Sequence, residues 1–289
     1  MSQLTGRRCI ITGASRGLGA AIAKKFWSEG ADLLLVARSE EALTRVRNDL
    51  EPRDRQQVHL LTCDLAAVDV PARIADEAKR RFDWLSVLVN NAAVQGPIGP
   101  VWENDWEEWE RTLRVNLLSI VDLSRRCVPL LATRDGKIIN ISGGGASGPR
   151  ARFTAYATAK AGLVRFCETL AQEVAALGIE VNCVAPGAMN TAMTEAILAA
   201  GSNGAGDKEH ENALCARLQT PEIMERAVSL CAFLASSESD GITGKLISTA
   251  WDPWETLPEH LDDLRRTDVY TLRRIVPSDR GLSWGRNDE

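Results

Sequence analysis

Short, almost wholly apolar runs alternate with longer stretches of mixed polarity over the first 249 residues of the chain. A short run that is apolar at every position is typical of a strand buried on both faces of a parallel sheet. Apolar residues spaced three and four apart indicate helices instead, as in stretches 19–29 and 157–176. The short runs predict strands over residues 8–12, 32–37, 57–62, 86–90, 136–141, 179–184 and 245–248.

This alternation of strands and helices indicates an α/β fold. Crossover helices are expected to cover both faces of a doubly wound, Rossmann-like parallel sheet, with right-handed connections. We expect one domain over residues 1–249 and a C-terminal extension over residues 250–289.

Two segments interrupt the alternation. Residues 195–220 include the small and polar run AAGSNGAGDKEHEN, which predicts a mobile loop over about 188–220 or, alternatively, a tolerated surface insertion. The extension combines Pro, Trp and charges of both signs. It is expected to wrap a neighbour, to border a site or to lie in solvent.

Composition narrows the classes of partner. The 289 residues are 45% hydrophobic and 25% charged, with a formal net charge of −5, so neither nucleic acid nor an anionic membrane is expected as a partner. The longest apolar runs fall short of the about 20 residues of a membrane span. Seven cysteines without CxxC spacing predict free thiols in a reducing cytoplasm and no metal site.

The first predicted strand leads into a glycine-rich turn, TGASRGLG, which spans Thr12 to Gly19 and opens a helix. Glycines allow a tight turn there and let backbone N–H groups approach a phosphate at the helix N-terminus. The spacing differs from the GxGxxG fingerprint, but a strand before it and a helix after it favour dinucleotide binding. The expected binding residues in this turn are Gly13, Ser15, Arg16, Gly17, Leu18 and Gly19.

The end of the second predicted strand indicates which dinucleotide is bound. A carboxylate at such a strand end binds the ribose hydroxyls of NAD and repels the 2′-phosphate of NADP. Here Arg38 follows the strand, and Arg16 stands in the glycine turn. Two guanidinium groups suit a phosphate, so NADP(H) is the expected cofactor. The alternative is a pair of solvated surface arginines.

Tyr156 and Lys160, in the run AYATAK, are the candidate proton-transfer pair. Residues four apart share one face of a helix, so the ammonium is expected to lie near the phenol and to lower its pKa. A phenol with a pKa lowered in this way can transfer a proton near neutral pH. Taken alone, a Tyr and a Lys at this spacing are more often a packed ring and a solvated side chain.

These motifs, in this order, resemble those of the short-chain dehydrogenase/reductase family over residues 6–249. The glycine turn is similar to the family's TGxxxGxG, and Tyr156 with Lys160 to its YxxxK pair. Further segments that resemble family motifs are Cys63-Asp64-Leu65, Asn90-Asn91-Ala92-Ala93, Asn116 in RVNLLS, and Pro186-Gly187 with Thr191.

The resemblance implies a role for each of these residues. Asp64 and Leu65 would lie at the adenine, and Asn91 and Ala92 along the cofactor. Pro186, Gly187 and Thr191 would bind the nicotinamide end. Asn116 would hold a water on the path of the proton. Lys160 would bind the nicotinamide ribose beside Tyr156.

One position departs from the family pattern. The family has a serine 13 residues before the tyrosine, and this chain has Gly143 there, in the run ISGGGAS. Ser142 is the first candidate to replace it, Ser147 is a second, and a site without a serine is a third. Losing a preorganised donor to a reacting oxygen costs about 10²–10³ in rate.

The implied function is hydride transfer between NADP(H) and a small-molecule carbonyl or secondary alcohol, as in a carbonyl reductase or alcohol dehydrogenase. Tyr156 would be the acid or base, with Lys160, Asn116 and Ser142 completing the catalytic set. The alternative, which the glycine at 143 motivates, is a dinucleotide-binding sensor or a weakly active partner subunit. Likeness to the family also implies a homodimer or homotetramer.

Overall fold

The computed structural model describes residues 3–218 and 221–284. Within them, parallel strands form one seven-stranded sheet in the order β3-β2-β1-β4-β5-β6-β7. The order reverses beside β1, and this reversal opens a crevice at the carboxyl ends of the strands, where such folds bind ligands. The strands are β1 Arg8–Thr12, β2 Asp32–Ala37, β3 Val58–Thr62, β4 Val87–Asn90, β5 Lys137–Ile141, β6 Glu180–Ala185 and β7 Leu246–Ser248.

Helices cover both faces of the sheet. The α-helices are α1 Gly17–Ser28, α2 Glu40–Asn48, α3 Val70–Phe82, α4 Trp106–Leu113, α5 Ser119–Leu131, α6 Thr154–Glu173, α7 Ala192–Ala205, α8 Asp207–Arg217, α9 Pro221–Ala235 and α10 Leu261–Arg266. Apolar residues of α1, α2 and α9 share one buried cluster, and those of α3, α5 and α6 share a second. No helix in the described part of the chain is long and apolar enough to cross a membrane.

The strands show why the short runs are apolar at every position. In β1, Cys9 and Ile11 belong to the cluster on the α1 side, whereas Ile10 belongs to the cluster on the α5 side. In β2, Leu33 and Leu34 divide between the two clusters in the same way. Successive side chains point to opposite faces, and helices cover both, so no position of an inner strand can be polar without cost.

The predicted fold class is confirmed. The bounds of β1 and β2 match the predicted ones. The other strands begin one residue later than predicted, and β6 also ends one residue later. The helix predicted from residue 157 begins earlier, at Thr154, and ends at Glu173.

The loop predicted over 188–220 is largely helical. Residues from 192 onward form α7 and α8, because the alanines, glutamates and lysine of this run are good helix formers. The glycines mark the breaks in the helices: Gly201 has φ 64° at a kink within α7, and Gly206 has φ 88° between α7 and α8. Gln219 and Thr220 lie outside the described residues, and the mobility of the segment stays a prediction.

Part of the C-terminal extension packs on the domain, whereas most of its described residues are exposed to solvent. The Trp254 ring lies 5.4 Å from the Phe233 ring and is buried. Farther along, the Tyr270 carbonyl accepts a hydrogen bond of 2.8 Å from the backbone N–H of Leu246, in β7. Pairing of this kind covers the outer edge of the sheet. Residues 285–289 of the extension lie outside the described part.

Candidate active site

The glycine turn after β1 packs directly on the end of β4. Gly13 and Gly17 have φ of 66° and 53°, a conformation that side chains disfavour. A Cβ on Gly19 would overlap the Gly13 carbonyl oxygen and Asn91 Nδ2, so only glycine permits this approach.

Asn91 and Ala92, predicted to bind the cofactor, hold the glycine turn in place. Asn91 Nδ2 donates to the carbonyl oxygens of Thr12 and Gly13, at 2.9 and 3.2 Å. Thr12 Oγ1 accepts from the backbone N–H groups of Asn91 and Ala92, at 3.0 and 3.1 Å. The amide of Asn91 therefore connects β4 to the turn, and its polar hydrogens already have partners.

The N-terminus of α1 fits a dinucleotide diphosphate. Its first residue follows Arg16, and no side chain caps the helix there, which leaves N–H groups for an anion. Gly17 is exposed, and the nearest atom to a Cβ built on it is Thr191 Cγ2, at 4.0 Å. The segment after β6 thus comes close to the glycine turn. Leu18 is buried in the core, so only its backbone can face a ligand.

The two arginines predicted to bind a 2′-phosphate lie on the same side of the fold. Arg16 and Arg38 are both exposed, and neither makes an ion pair with an acid of residues 3–218 or 221–284. Ala14 N–H donates to the Val36 carbonyl at 3.2 Å, so the turn after β1 runs beside the end of β2. Two unpaired guanidinium groups here favour an anionic ligand.

The segment predicted to lie at the adenine follows β3. Cys63 N–H donates to the Ala37 carbonyl at 3.0 Å, which places this segment beside the end of β2. Asp64 Oδ1 accepts from Ala66 N–H at 3.0 Å, and Arg111 lies 3.8 Å from Asp64 Oδ2. Leu65 is buried. The Asp64 carboxylate is therefore partly engaged and half-buried, and its role toward a nucleobase stays a prediction.

Tyr156 and Lys160 are buried together at the start of α6, with exposed fractions of 7% and 1%. Lys160 Nζ donates to the Ile141 carbonyl, at the end of β5, at 2.7 Å and lies 5.6 Å from the centre of the Tyr156 ring. Burial of the ammonium lowers the pKa of Lys160 to about 8. The helical spacing thus brings the two groups together, as predicted.

The expected direction of the Tyr156 pKa is wrong. Burial raises the pKa of this phenol above its usual value, because the tyrosinate loses its hydration, and the positive charge of Arg150 only partly opposes the effect. Lys160 directs its ammonium to the Ile141 carbonyl instead. In the protein without cofactor, the Tyr156 phenol therefore keeps its proton at neutral pH.

Gly143 lies directly against the Tyr156 hydroxyl. A Cβ built on Gly143 would stand 2.5 Å from Tyr156 Oη, so the hydroxyl occupies the space of a side chain at this position. Ser142 donates its N–H to the Val184 carbonyl at 2.8 Å, and its buried Oγ has no partner in the described residues. Ser147 is exposed. A contribution of Ser142 to catalysis stays a prediction.

Asn116 lies in a π-helical turn, Arg114–Leu118, between α4 and α5. Its side chain is fully buried: Nδ2 donates to the Val94 carbonyl and Oδ1 accepts from Val94 N–H, both at 2.8 Å. The amide therefore secures the segment after β4, and its polar atoms are engaged by protein. Turns of this kind are frequent at functional sites.

Sequence reasoning missed Arg150. Its Nη2 atom donates to Glu209 Oε2, in α8, at 2.7 Å. Its guanidinium carbon lies 4.0 Å from the centre of the Phe153 ring. The same carbon is 5.6 Å from the centre of the Tyr156 ring. No local signal points to this residue, because its partner is 59 positions away.

An apolar cluster covers Tyr156 on the side of α7 and α8. Its buried members are Phe153, Tyr156, Ile197, Ala205 and Ala213, and Ile98, Met193, Leu198 and Ala200 pack against them. The phenol thus faces an apolar space, with the Arg150–Glu209 ion pair at its border.

Comparisons with known proteins find relatives that match most of the chain. A family model described as short chain dehydrogenase matches residues 7–201. Nodulation protein G of Rhizobium sp. (strain N33) is 34% identical over 251 residues, 86% of this chain and 96% of that protein. The 3-oxoacyl-(acyl-carrier-protein) reductase FabG of Chlamydia muridarum is 32% identical over 249 residues, 86% of this chain and 97% of that protein. A short chain dehydrogenase of Escherichia coli CFT073, solved in complex with NADPH, has the same fold, with a TM-score of 0.73 at 24% identity over 86% of this chain and 99% of that one.

Proposed function

The chain belongs to the short-chain dehydrogenase/reductase family, and we propose that it transfers a hydride between NADP(H) and the carbonyl or secondary alcohol of a small molecule. In this proposal it acts as a carbonyl reductase or alcohol dehydrogenase. The observation that carries the proposal is the buried pair of Tyr156 and Lys160, which lies at the end of β5. The uncapped N-terminus of α1, which suits a diphosphate, follows β1 at the same edge of the parallel sheet.

Tyr156 is the proton donor in carbonyl reduction. NADPH, when bound, supplies the hydride. Because burial keeps the phenol neutral, Tyr156 Oη carries a proton that it can donate to the substrate oxygen. In the reverse direction the tyrosinate accepts the proton of an alcohol.

Lys160 binds the cofactor and places a positive charge in the site. Its ammonium gives one hydrogen to the Ile141 carbonyl, and the two others remain for the ribose hydroxyls of the cofactor. Its pKa of about 8 makes it mostly protonated at neutral pH. Asn116 acts indirectly, because it holds the backbone of Val94 in the segment after β4.

The preference for NADP(H) rests on Arg16 and Arg38. Both guanidinium groups are exposed beside the turn that would hold the adenosine half, and Arg38 stands where NAD-binding proteins have an acid. A 2′-phosphate would neutralise this local excess of positive charge.

The Chlamydia relative is named as a reductase of 3-oxoacyl groups, which supports ketone reduction as the chemistry. The apolar cluster over Tyr156 suits an apolar group beside the ketone. The alternative of a dinucleotide-binding sensor has less support, because sensing needs neither a buried phenol nor a lysine beside it.

Replacement of Tyr156 by Phe tests this function. We expect Tyr156→Phe to abolish NADPH oxidation with a panel of ketones that includes a 3-oxoacyl thioester, because no proton donor remains. NADPH binding, measured by fluorescence titration, should be unchanged. Turnover by Tyr156→Phe at the wild-type rate would contradict the assignment.

The cofactor preference has a matched control in NADH. Arg16→Ser and Arg38→Ser should each weaken NADPH binding about tenfold or more, the loss of one charge-assisted contact. The affinity for NADH, which lacks the 2′-phosphate, should be unchanged in both variants. Equal losses for the two cofactors would argue against a phosphate contact.

A further inference from the structure

Arg150 lies near the ring of Tyr156 and forms an ion pair with an acid of α8. Its side chain is only 13% exposed, and Glu209 Oε2 lies 2.7 Å from its NH2 group. Two glycines line its side chain: a Cβ on Gly145 would make a tight contact of 3.3 Å with Arg150 Cβ, and one on Gly144 an ordinary contact of 3.7 Å with Arg150 Cδ. The glycine run after β5 thus accommodates both the tyrosine hydroxyl, at Gly143, and this arginine.

Few charges face the phenol. On α6 itself Lys160 lies 5.6 Å from the ring, and its ammonium is hydrogen-bonded to the Ile141 carbonyl. The loop before α6 contributes Arg150, and α8 contributes Glu209 through it. From α7 and the segment after β4, the apolar side chains of Met193, Leu198 and Ile98 pack on the cluster that contains Tyr156. Among the described charged groups, Arg150 is therefore the one whose positive charge lowers the pKa of Tyr156.

We propose that Arg150 is a positioning residue for Tyr156 and that the ion pair with Glu209 makes the charge available to the phenol depend on α8. The proposal deepens the proposed function, because it assigns a means of regulating the same proton donor. While Glu209 is paired, its negative charge offsets that of Arg150. When Glu209 is removed or α8 is displaced, the full positive charge of Arg150 acts on the phenol and favours the tyrosinate.

The direction of each effect follows from the charges. Removing Arg150 leaves burial unopposed, so the pKa of Tyr156 should rise. Neutralising Glu209 leaves Arg150 uncompensated, so the pKa of Tyr156 should fall. Because Glu209 acts through Arg150, its effect should vanish once Arg150 has been replaced.

The chain is well suited to a direct test, because it has only two tyrosines, Tyr156 and Tyr270. The free protein labelled with ¹³C at tyrosine Cζ is titrated by NMR, and Tyr270→Phe assigns the two resonances. We expect Arg150→Met to raise the Tyr156 pKa by about one unit, the lower end of the effect of a nearby opposite charge. Glu209→Gln, which keeps a hydrogen-bond acceptor, should lower it, and Arg150→Lys should restore the wild-type value.

Arg152→Met is the matched control. Arg152 belongs to the same loop and donates to the carbonyl oxygens of Asn203 and Gly204, at 2.8 and 3.2 Å, so it also connects the loop to the α7–α8 segment. If charge at the phenol is the cause, Arg152→Met leaves the Tyr156 pKa unchanged. A rise as large as that of Arg150→Met would indicate loosened packing and overturn the proposal.

Two further outcomes also overturn it: an unchanged Tyr156 pKa in Arg150→Met, and an equal shift by Glu209→Gln with and without Arg150. The titration needs neither cofactor nor turnover. It can therefore fail while Tyr156→Phe still proves inactive, or succeed while the proposed hydride transfer fails, so the two proposals are judged separately.

Discussion

At the scale of single residues, the Tyr156 hydroxyl fills the space that a side chain at position 143 would need. The phenol hydroxyl lies where a side chain at 143 would begin, 2.5 Å from the position of its Cβ. A serine at 143 would therefore not fit without a shift, because the Tyr156 hydroxyl lies against the bare backbone. The position of the Tyr156 hydroxyl is thus determined by packing as much as by its helix.

Replacement of Gly143 by Ala tests this packing. The added methyl group should displace the phenol, so we expect kcat/KM for ketone reduction to fall at least about tenfold, equivalent to a misplacement cost of about 1.4 kcal/mol. Overpacking should also lower the free energy of unfolding by about 1–3 kcal/mol. Steady-state kinetics and urea denaturation measure the two effects.

Gly148→Ala is the control, because a Cβ on this glycine of the same loop meets no atom within 4 Å. It should leave both quantities at the wild-type values. Unimpaired kinetics in Gly143→Ala would show that the hydroxyl does not need the space beside Gly143.

At the scale of elements, the π-helical turn Arg114–Leu118 carries Asn116 to the backbone of Val94. The apolar periodicity of this region is helical throughout, so the sequence indicates a helix but not the extra residue in its turn. That irregularity depends on a contact with a segment 22 positions earlier. The segment of α7 and α8 is a second case: its glycines predicted a loop, but Gly201 only bends α7 and Gly206 only separates α7 from α8.

Replacement of Asn116 by Ala should destabilise the protein by about 2–4 kcal/mol, because the Val94 N–H and C=O both lose a partner in a largely buried place. Urea denaturation measures the change. Ser119→Ala is the matched control: its hydroxyl bonds only the Val115 carbonyl within the same helical region, at 2.8 Å, and we expect a loss below about 1 kcal/mol. Equal losses in the two variants would contradict the role given to Asn116.

At the scale of the whole molecule, the C-terminal extension completes the edge of the sheet. Besides the bond from Leu246, the Val269 carbonyl accepts from buried Lys245 Nζ at 2.9 Å. Leu272 N–H donates to Glu168 Oε1 at 2.6 Å, which connects the extension to α6, the helix that carries Tyr156. The extension is thus part of the folded unit through residue 272.

A chain that ends at Arg266 should be less stable by about 2–4 kcal/mol, because Lys245 and the edge of β7 lose buried partners. It should also associate into larger species, since an uncovered strand edge can pair with another chain. Urea denaturation and light scattering measure these effects. A chain that ends at Gly281 loses only exposed residues among those described, and should behave as the full chain does. Wild-type stability of the shorter chain would contradict this role of the extension.

The sequence by itself determined the order of strands and helices, the glycine turn and the pairing of Tyr156 with Lys160. These features depend on local periodicity and on short spacings, which can be read from one segment without knowing which distant segments pack against it. Only the tertiary structure decided that the Tyr156 hydroxyl packs against Gly143, that Asn116 binds the backbone of Val94 and that Arg150 pairs with Glu209. It also decided the direction of the Tyr156 pKa, because burial and charge at a group depend on which distant segments pack against it.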